Sequence, residues 1–406
     1  MGCIVSEFHT DESVSSWICR QIFYAKTPSS QANSVGLRHF IQSKQNYSDL
    51  DYFYSLQDIV TLQEYLPIPV PNLISQSAAE CWWTLPTHRN RIHFCPQCAI
   101  EDLAFTRVPV WRRNWLHWWY LLCDKHYSVM RPLTGQYCVL NVVDRSIAAM
   151  KMVIDGQSKS HSDNDLFGNL VPFSNFELLC GRGPNKYPEM QLALTVFSKM
   201  ASPVQAEIAS YYSIPGLETP PERVTMILDL LNLLLRRHVK GIDPPAYAYQ
   251  LFNVFFWRPE YQYNQGSRED VASLIDRACE GVDPFIRLVA MAIASYLLDY
   301  PNSDFLWGVI ADSSARLGAL VPDSRGWLYA VICGPTDIPL KSWYIDRIAT
   351  YSTVGRDQCL KFTTAPCALN ELLSEFQIYS NISISHVKKA CKLGVLLTRA
   401  SWCWLS

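Results

Sequence analysis

Apolar positions recur along this chain with the period of helices rather than the alternation of strands. In TDESVSSWICRQIF, Val14, Trp17, Ile18 and Ile22 share one face, so the segment predicts an amphipathic opening helix with Thr10 or Asp11 as its cap. Short helical patterns follow at 36–43, 48–53 and 56–65, separated by polar residues. Three or four short helices with tight turns fit a helix-turn-helix-like bundle and a plain helical domain equally well. Further on, 189–212 and 220–239 are again helical in pattern, the second with Thr219 as cap and Pro220 and Pro221 in its first turn. Its Met226, Leu228, Leu230, Leu231, Leu233, Leu234 and Leu235 are apolar around most of the girth, which predicts a central place in a bundle. Helical signals continue at 267–278, 284–298 and 304–317, and the expected fold is mainly α.

One stretch interrupts this regularity. Residues 80–135 hold a density of aromatic side chains far above the rest and read as a module of their own. The expected organisation is therefore an N-terminal helical, helix-turn-helix-like region at 1–79, a zinc-binding module at 80–135, a connecting segment and linker at 136–169, and a helical C-terminal domain at 170–406. The linker reading rests on DGQSKSHSDNDLFGN, polar and glycine-containing, from Asp155 to Asn169. Within the last domain, 368–397 is a candidate helix-turn-helix. Its second helix would turn Ile384, Val387 and Cys391 inward and Lys388, Lys389 and Lys392 outward, either toward DNA phosphates or simply into solvent.

The chemistry concentrates in FCPQCAIEDLAFTRVPVWRRNWLHWWYLLCDKH. Cys95 and Cys98 form one pair, Cys123 and His126 a second at the same spacing. A two-residue gap lets one tight knuckle turn both donors toward a single ion, and two such pairs supply a tetrahedral structural zinc site. Four protein donors leave no open position for water, which argues against a catalytic metal. A zinc deaminase would need proline directly before the first cysteine and an upstream His-x-Glu. Phe94 precedes Cys95, and neither His88 nor His93 has Glu two positions later. His93 and His117 compete with His126 as fourth ligand but sit in no paired knuckle. Between the pairs, Arg107, Arg112 and Arg113 interleave with Trp111, Trp115, Trp118 and Trp119. The arginines are candidate contacts for nucleic acid or an acidic partner, and Trp115 and Trp119 are expected in the small core around the ligands. Glu101 and Asp102 are adjacent on a helix and have no nucleophile beside them, so they are expected to cap the helix or pair with the arginines.

Charge narrows the reading further. Lys and Arg number 35 against 37 for Asp and Glu, so net charge alone does not mark a nucleic-acid binder and any basic footprint must be local. The 14 cysteines follow no secreted disulfide pattern and the opening residues soon turn polar, so reduced thiols and a cytoplasmic location are expected. The apolar run from Phe285 to Leu298 is interrupted by Arg287 and falls short of the roughly 20 residues a bilayer requires, so no membrane association is expected. Phosphate-loop, nucleophile-elbow and His-Glu-x-x-His motifs are lacking, and no enzymatic activity is expected.

The combination Phe94-Cys95-Pro96-x-Cys98, Glu101-Asp102, Trp111-Arg112, Cys123-x-x-His126 and the apolar stretch to Leu133 resembles the TniQ family of transposon target-selection proteins, which includes TnsD and the TniQ of CRISPR-associated transposons. Asp11-Glu12-Ser13-x-x-Ser16-Trp17-x-x-Arg20 is similar to the first helix of that family, and the resemblance covers about residues 8 to 135. Larger members often carry a second zinc ribbon; here Cys138 and Cys180 lack Cys-x-x-Cys partners, so one zinc is expected. The resemblance implies a non-catalytic adaptor in DNA transposition. Such an adaptor links target DNA, or an RNA-guided Cascade-type complex, to a TnsC-type AAA+ ATPase, and some members pair as homodimers. The alternative is a stand-alone, sequence-specific DNA-binding protein that selects the target site in the manner of TnsD.

Overall fold

The computed structural model describes residues 9, 11–24, 34–41, 51, 56–65, 90–106, 108–133, 135–137, 142–160, 187–212, 220–237, 246–256, 278–279, 282–319 and 321–333. The described residues are mainly helical and divide into two compact units, 1–176 with 207–221 and 177–206 with 222–406. Among them no helix is long and apolar enough to cross a membrane.

In the first unit, helix α1 spans Val14–Tyr24. Its cap is Ser13, two or three residues later than the sequence suggested: the Ser13 hydroxyl accepts the Ser16 amide at 3.3 Å. The expected apolar face is the buried one, with Val14, Trp17 and Ile18 in the core and Ile22 packed against it. Helix α2 covers 34–41 and helix α3 covers Leu56–Tyr65. Leu37, Phe40, Ile41 and Leu62 close the same core, joined by Val143. Gly36 permits the close approach of α2 to α3, since a Cβ there would overlap the Tyr65 ring. Of the expected segment 48–53, only Asp51 is among the described residues.

Two short strands, β1 at His93–Phe94 and β2 at Arg131–Pro132, pair antiparallel with His93 opposite Pro132 and Phe94 opposite Arg131. Helix α4, Pro96–Thr106, leaves β1 directly, and a 3-10 turn follows at Arg113–Leu116. Helix α5, Arg145–Ser160, runs through part of the expected linker. Arg145, Ala148, Ala149 and Val153 are buried at three- and four-residue spacing, so DGQSKS is the polar end of a helix anchored by its first turns. The remainder of the linker reading, 161–169, lies outside the described residues.

The second unit takes residues 187–206 of α6, Tyr187–Tyr212. Helix α7 spans Glu222–Leu234, so Pro220 and Pro221 precede the helix instead of forming its first turn. Helix α8, Tyr247–Phe256, has no counterpart in the expected elements: its run of aromatics obscures any polar face. Helix α9, Pro284–Leu297, is buried at every position, opened by an Asp283 side chain that accepts the Phe285 amide at 2.8 Å and by Pro284 in the first turn. It packs against α7, α8, α10 at Ser303–Arg316 and α11 at Arg325–Cys333. The central place expected of 220–239 thus belongs to α9, and α7 lines it. The expected helix at 267–278 lies outside the described residues except for Ala278, and the candidate helix-turn-helix at 368–397 lies wholly outside them.

Candidate metal centre

The site is assembled from two knuckles with different backbones. The first is a helix start: Cys95 follows β1, its carbonyl accepts the Ala99 amide at 3.0 Å, and Cys98 lies in the first turn of α4. Free amides at a helix N-terminus favour negative charge, so this is a suitable seat for thiolate sulfur. The second knuckle is a tight hairpin loop. Leu122 and Val129 bridge its stem, the Cys123 amide donates to the Ser128 carbonyl at 2.9 Å, and the Tyr127 amide returns to the Cys123 carbonyl at 2.7 Å. Tyr127 takes a left-handed conformation (φ 51°), which closes the loop behind His126. The Asp124 amide donates to the Tyr120 hydroxyl at 3.1 Å and steadies the turn from below.

These backbones bring the Sγ atoms of Cys95, Cys98 and Cys123 and a ring nitrogen of His126 within 4.8 Å of one another. His126 Nδ1 lies 3.4, 3.3 and 3.6 Å from the sulfurs of Cys95, Cys98 and Cys123, and the Cys98 and Cys123 sulfurs are 3.6 Å apart. A tetrahedral ion with sulfur at about 2.3 Å and nitrogen at about 2.0 Å sets ligand-to-ligand edges of roughly 3.5 to 3.8 Å. The donor set therefore fits one four-coordinate metal ion, and the three cysteines are free thiols rather than disulfide partners. Hydrogen bonds from Cys123 and Cys98 hold the Cys95 thiol below its ordinary value. His93 and His117 stand outside this cluster. Both are buried, and His117 stacks on Trp119 with ring centroids 5.5 Å apart.

Behind the ligands lies an aromatic shell. Trp111, Trp115, Trp118 and Trp119 are all buried, so none presents a face for stacking on a base. Phe94 contacts Trp111 and Trp115, which meet edge to face at 5.6 Å. Arg112 does not stand free at the surface. It makes a two-pronged pair with Asp102, 2.9 Å for each oxygen, reaches Asp11 at 3.3 Å, and lies over the Trp115 ring at 5.0 Å. Arg113 is half-buried in the adjoining turn. Arg107, Lys388, Lys389 and Lys392 lie outside the described residues.

The opening segment is built into this module. The Ser13 amide donates to the Trp111 carbonyl at 2.8 Å, the Trp111 amide donates to the Ser16 hydroxyl at 2.9 Å, and the Arg113 amide donates to the Asp11 carbonyl at 2.7 Å. Glu12 is fully buried and held by Arg20 and by the Ser16 hydroxyl at 2.9 Å; burial pushes its carboxyl up against the pull of Arg20. A second buried pair joins Arg145 to Asp51 at 2.6 Å, with the Ser15 amide donating to the same carboxylate at 3.0 Å. Burial pushes the Asp51 carboxyl up, and Arg145 with the Ser15 hydrogen bonds brings it below its ordinary value. Sequence reasoning missed Asp51 and Arg145, which are too far apart in the chain for any spacing to reveal.

The adjacent acids on α4 divide their work. Asp102 serves Arg112 and accepts the Val110 amide at 3.0 Å, as the arginine-pairing reading expected. Among the described residues Glu101 pairs with no arginine. Its two oxygens take Lys125 Nζ at 2.5 Å and His126 Nε2 at 2.9 Å, and these partners, Lys125 first, hold its carboxyl below the usual value. The sequence signal for Glu101 was its place three residues after Cys98, on the same helix face as a ligand.

Taken together, the helix-start knuckle, the hairpin knuckle and the tryptophan shell define a small domain that could hold one metal ion, with the opening helix built in. The family model described as TniQ matches residues 3–129. The chain carries a TniQ domain over about its first third, and that domain makes it a transposition-associated protein. No curated protein and no solved structure matches the chain.

Proposed function

We propose that this protein is a non-catalytic adaptor in DNA transposition. Its first unit, stapled by one structural Zn2+ on Cys95, Cys98, Cys123 and His126, contributes a docking module between a target-recognition complex and a TnsC-type AAA+ ATPase. The observation that carries this reading is the closed donor set inside a TniQ domain: four protein ligands converge at tetrahedral spacing, which suits a scaffold and leaves no coordination position for a substrate. Three soft sulfurs and one imidazole favour zinc over the oxygen-seeking cations. Near-neutral charge and the engagement of Arg112 by Asp102 favour protein contacts, or contacts to a guide complex, over binding to bare DNA.

A pull-down of the purified, zinc-quantified chain against a TnsC-type ATPase and a Cascade-type complex, with labelled duplex DNA in parallel, tests this. The adaptor reading expects association with one of the proteins at physiological salt and weak DNA binding. Tight, sequence-selective DNA binding with a steep salt dependence, and no protein association, would instead favour a stand-alone target-site selector.

A further inference from the structure

The ligand His126 has two ring nitrogens, and the structure gives each a separate partner. Nδ1 faces the three sulfurs at 3.3 to 3.6 Å, while Nε2 lies 2.9 Å from Glu101 Oε1. An imidazole that ligates through one nitrogen must be neutral and carry its proton on the other. A carboxylate behind that second nitrogen fixes the tautomer, holds the ring plane and raises the basicity of the ligating atom. Glu101 also spans the two knuckles: it belongs to α4, which carries Cys98, and its partners His126 and Lys125 belong to the hairpin loop. Lys125 holds the other carboxylate oxygen at 2.5 Å, which limits rotation of the side chain.

We propose that Glu101 is a positioning residue of the metal centre: it accepts a hydrogen bond from His126 Nε2–H, presents Nδ1 to the ion and locks the hairpin knuckle onto the helix-start knuckle. This rests on the metal reading given under the proposed function. Glu101 is well exposed and packs little, so its loss bears on the metal and leaves the core intact. The arrangement predicts an order of importance among three substitutions. Glu101→Ala removes the acceptor altogether. Glu101→Gln keeps a carbonyl oxygen that Nε2–H can reach and gives up only the charge. Lys125→Met leaves the contact to His126 in place.

The test is competition of the full chain with a chromophoric zinc chelator, together with the rate of zinc release and the visible spectrum of the Co2+-loaded protein. Glu101→Ala is expected to lose between about 10- and 100-fold in zinc affinity, with faster release. Glu101→Gln should recover most of that loss, Lys125→Met should lose less than Glu101→Ala, and because the bound ion stabilises the first unit the loaded Glu101→Ala chain should melt below wild type while the second unit is unaffected. Glu101→Ala matching wild type, or Glu101→Gln as weak as Glu101→Ala, would overturn the orienting role while leaving the metal site standing. A wild-type chain that takes up neither zinc nor Co2+ would overturn the metal reading itself and this inference with it.

Discussion

The two units bury their helices by different chemistry. In the second, α9 is buried along its whole length and apolar apart from a few residues such as Arg287 and Ser295, and Tyr296 stacks on Trp307 at 4.8 Å. In the first, polar groups reach the interior: Glu12 with Arg20 and Asp51 with Arg145 are ion pairs shut away from water, and the sulfur and imidazole donors converge beside them. Buried charges are costly unless paired and bonded, so that unit has few alternative ways to pack. Its polar side chains fix where α1, α4 and the hairpin meet, whereas the second unit is held mainly by apolar area. The comparison teaches that the site-bearing unit is specified by a few directional contacts, each of which can be removed singly.

The strongest way to break the contrast is to remove the ion or one of its ligands. Chelation, or Cys123→Ser, should cost the first unit on the order of 10 kcal/mol, enough to unfold it. Hydrogen exchange should then show peptides of α1 and α4 losing protection while those of α9 keep theirs. Next in size is a buried ion pair. Arg145→Ala leaves Asp51 charged and enclosed, and urea denaturation should report a loss of about 3 to 5 kcal/mol from the first unit. Ile293→Ala on α9 sharpens the comparison from the other side: about 2 to 4 kcal/mol lost in the second unit through a cavity, with metal content unchanged. The smallest effect is expected at Arg112→Ala. Its guanidinium is partly screened by solvent, so loss of the Asp102 pair should cost about 1 to 2 kcal/mol in a thermal melt and leave the metal bound.

The same division governs how much could be read from the sequence. Helical periodicity located α1, α3, α9 and α10 because each keeps one clear apolar stripe or begins at a recognisable cap. It failed at α8, where every residue but Asn253 is buried, and at α5, where a polar end masked a buried beginning. The four donors that the fold brings together were legible as candidates because each knuckle is local, two donors separated by two residues. The partners that hold the knuckles in place were not, since Asp51 and Arg145 or Ser16 and Trp111 meet only after folding. Arg112 shows the converse. Pairing of an α4 acid with an arginine was expected from the sequence, but that Asp102 rather than Glu101 takes it, and Arg112 rather than a neighbouring arginine, is decided by the fold.

The most direct test of the central claim is X-ray absorption at the zinc edge of the purified full chain, combined with metal stoichiometry. One zinc per chain surrounded by three sulfurs near about 2.3 Å and one nitrogen near about 2.0 Å is the predicted result. A chain purified without metal and unable to bind it, or a zinc site with a water oxygen in place of the His126 nitrogen, would contradict the closed scaffold on which the functional reading stands.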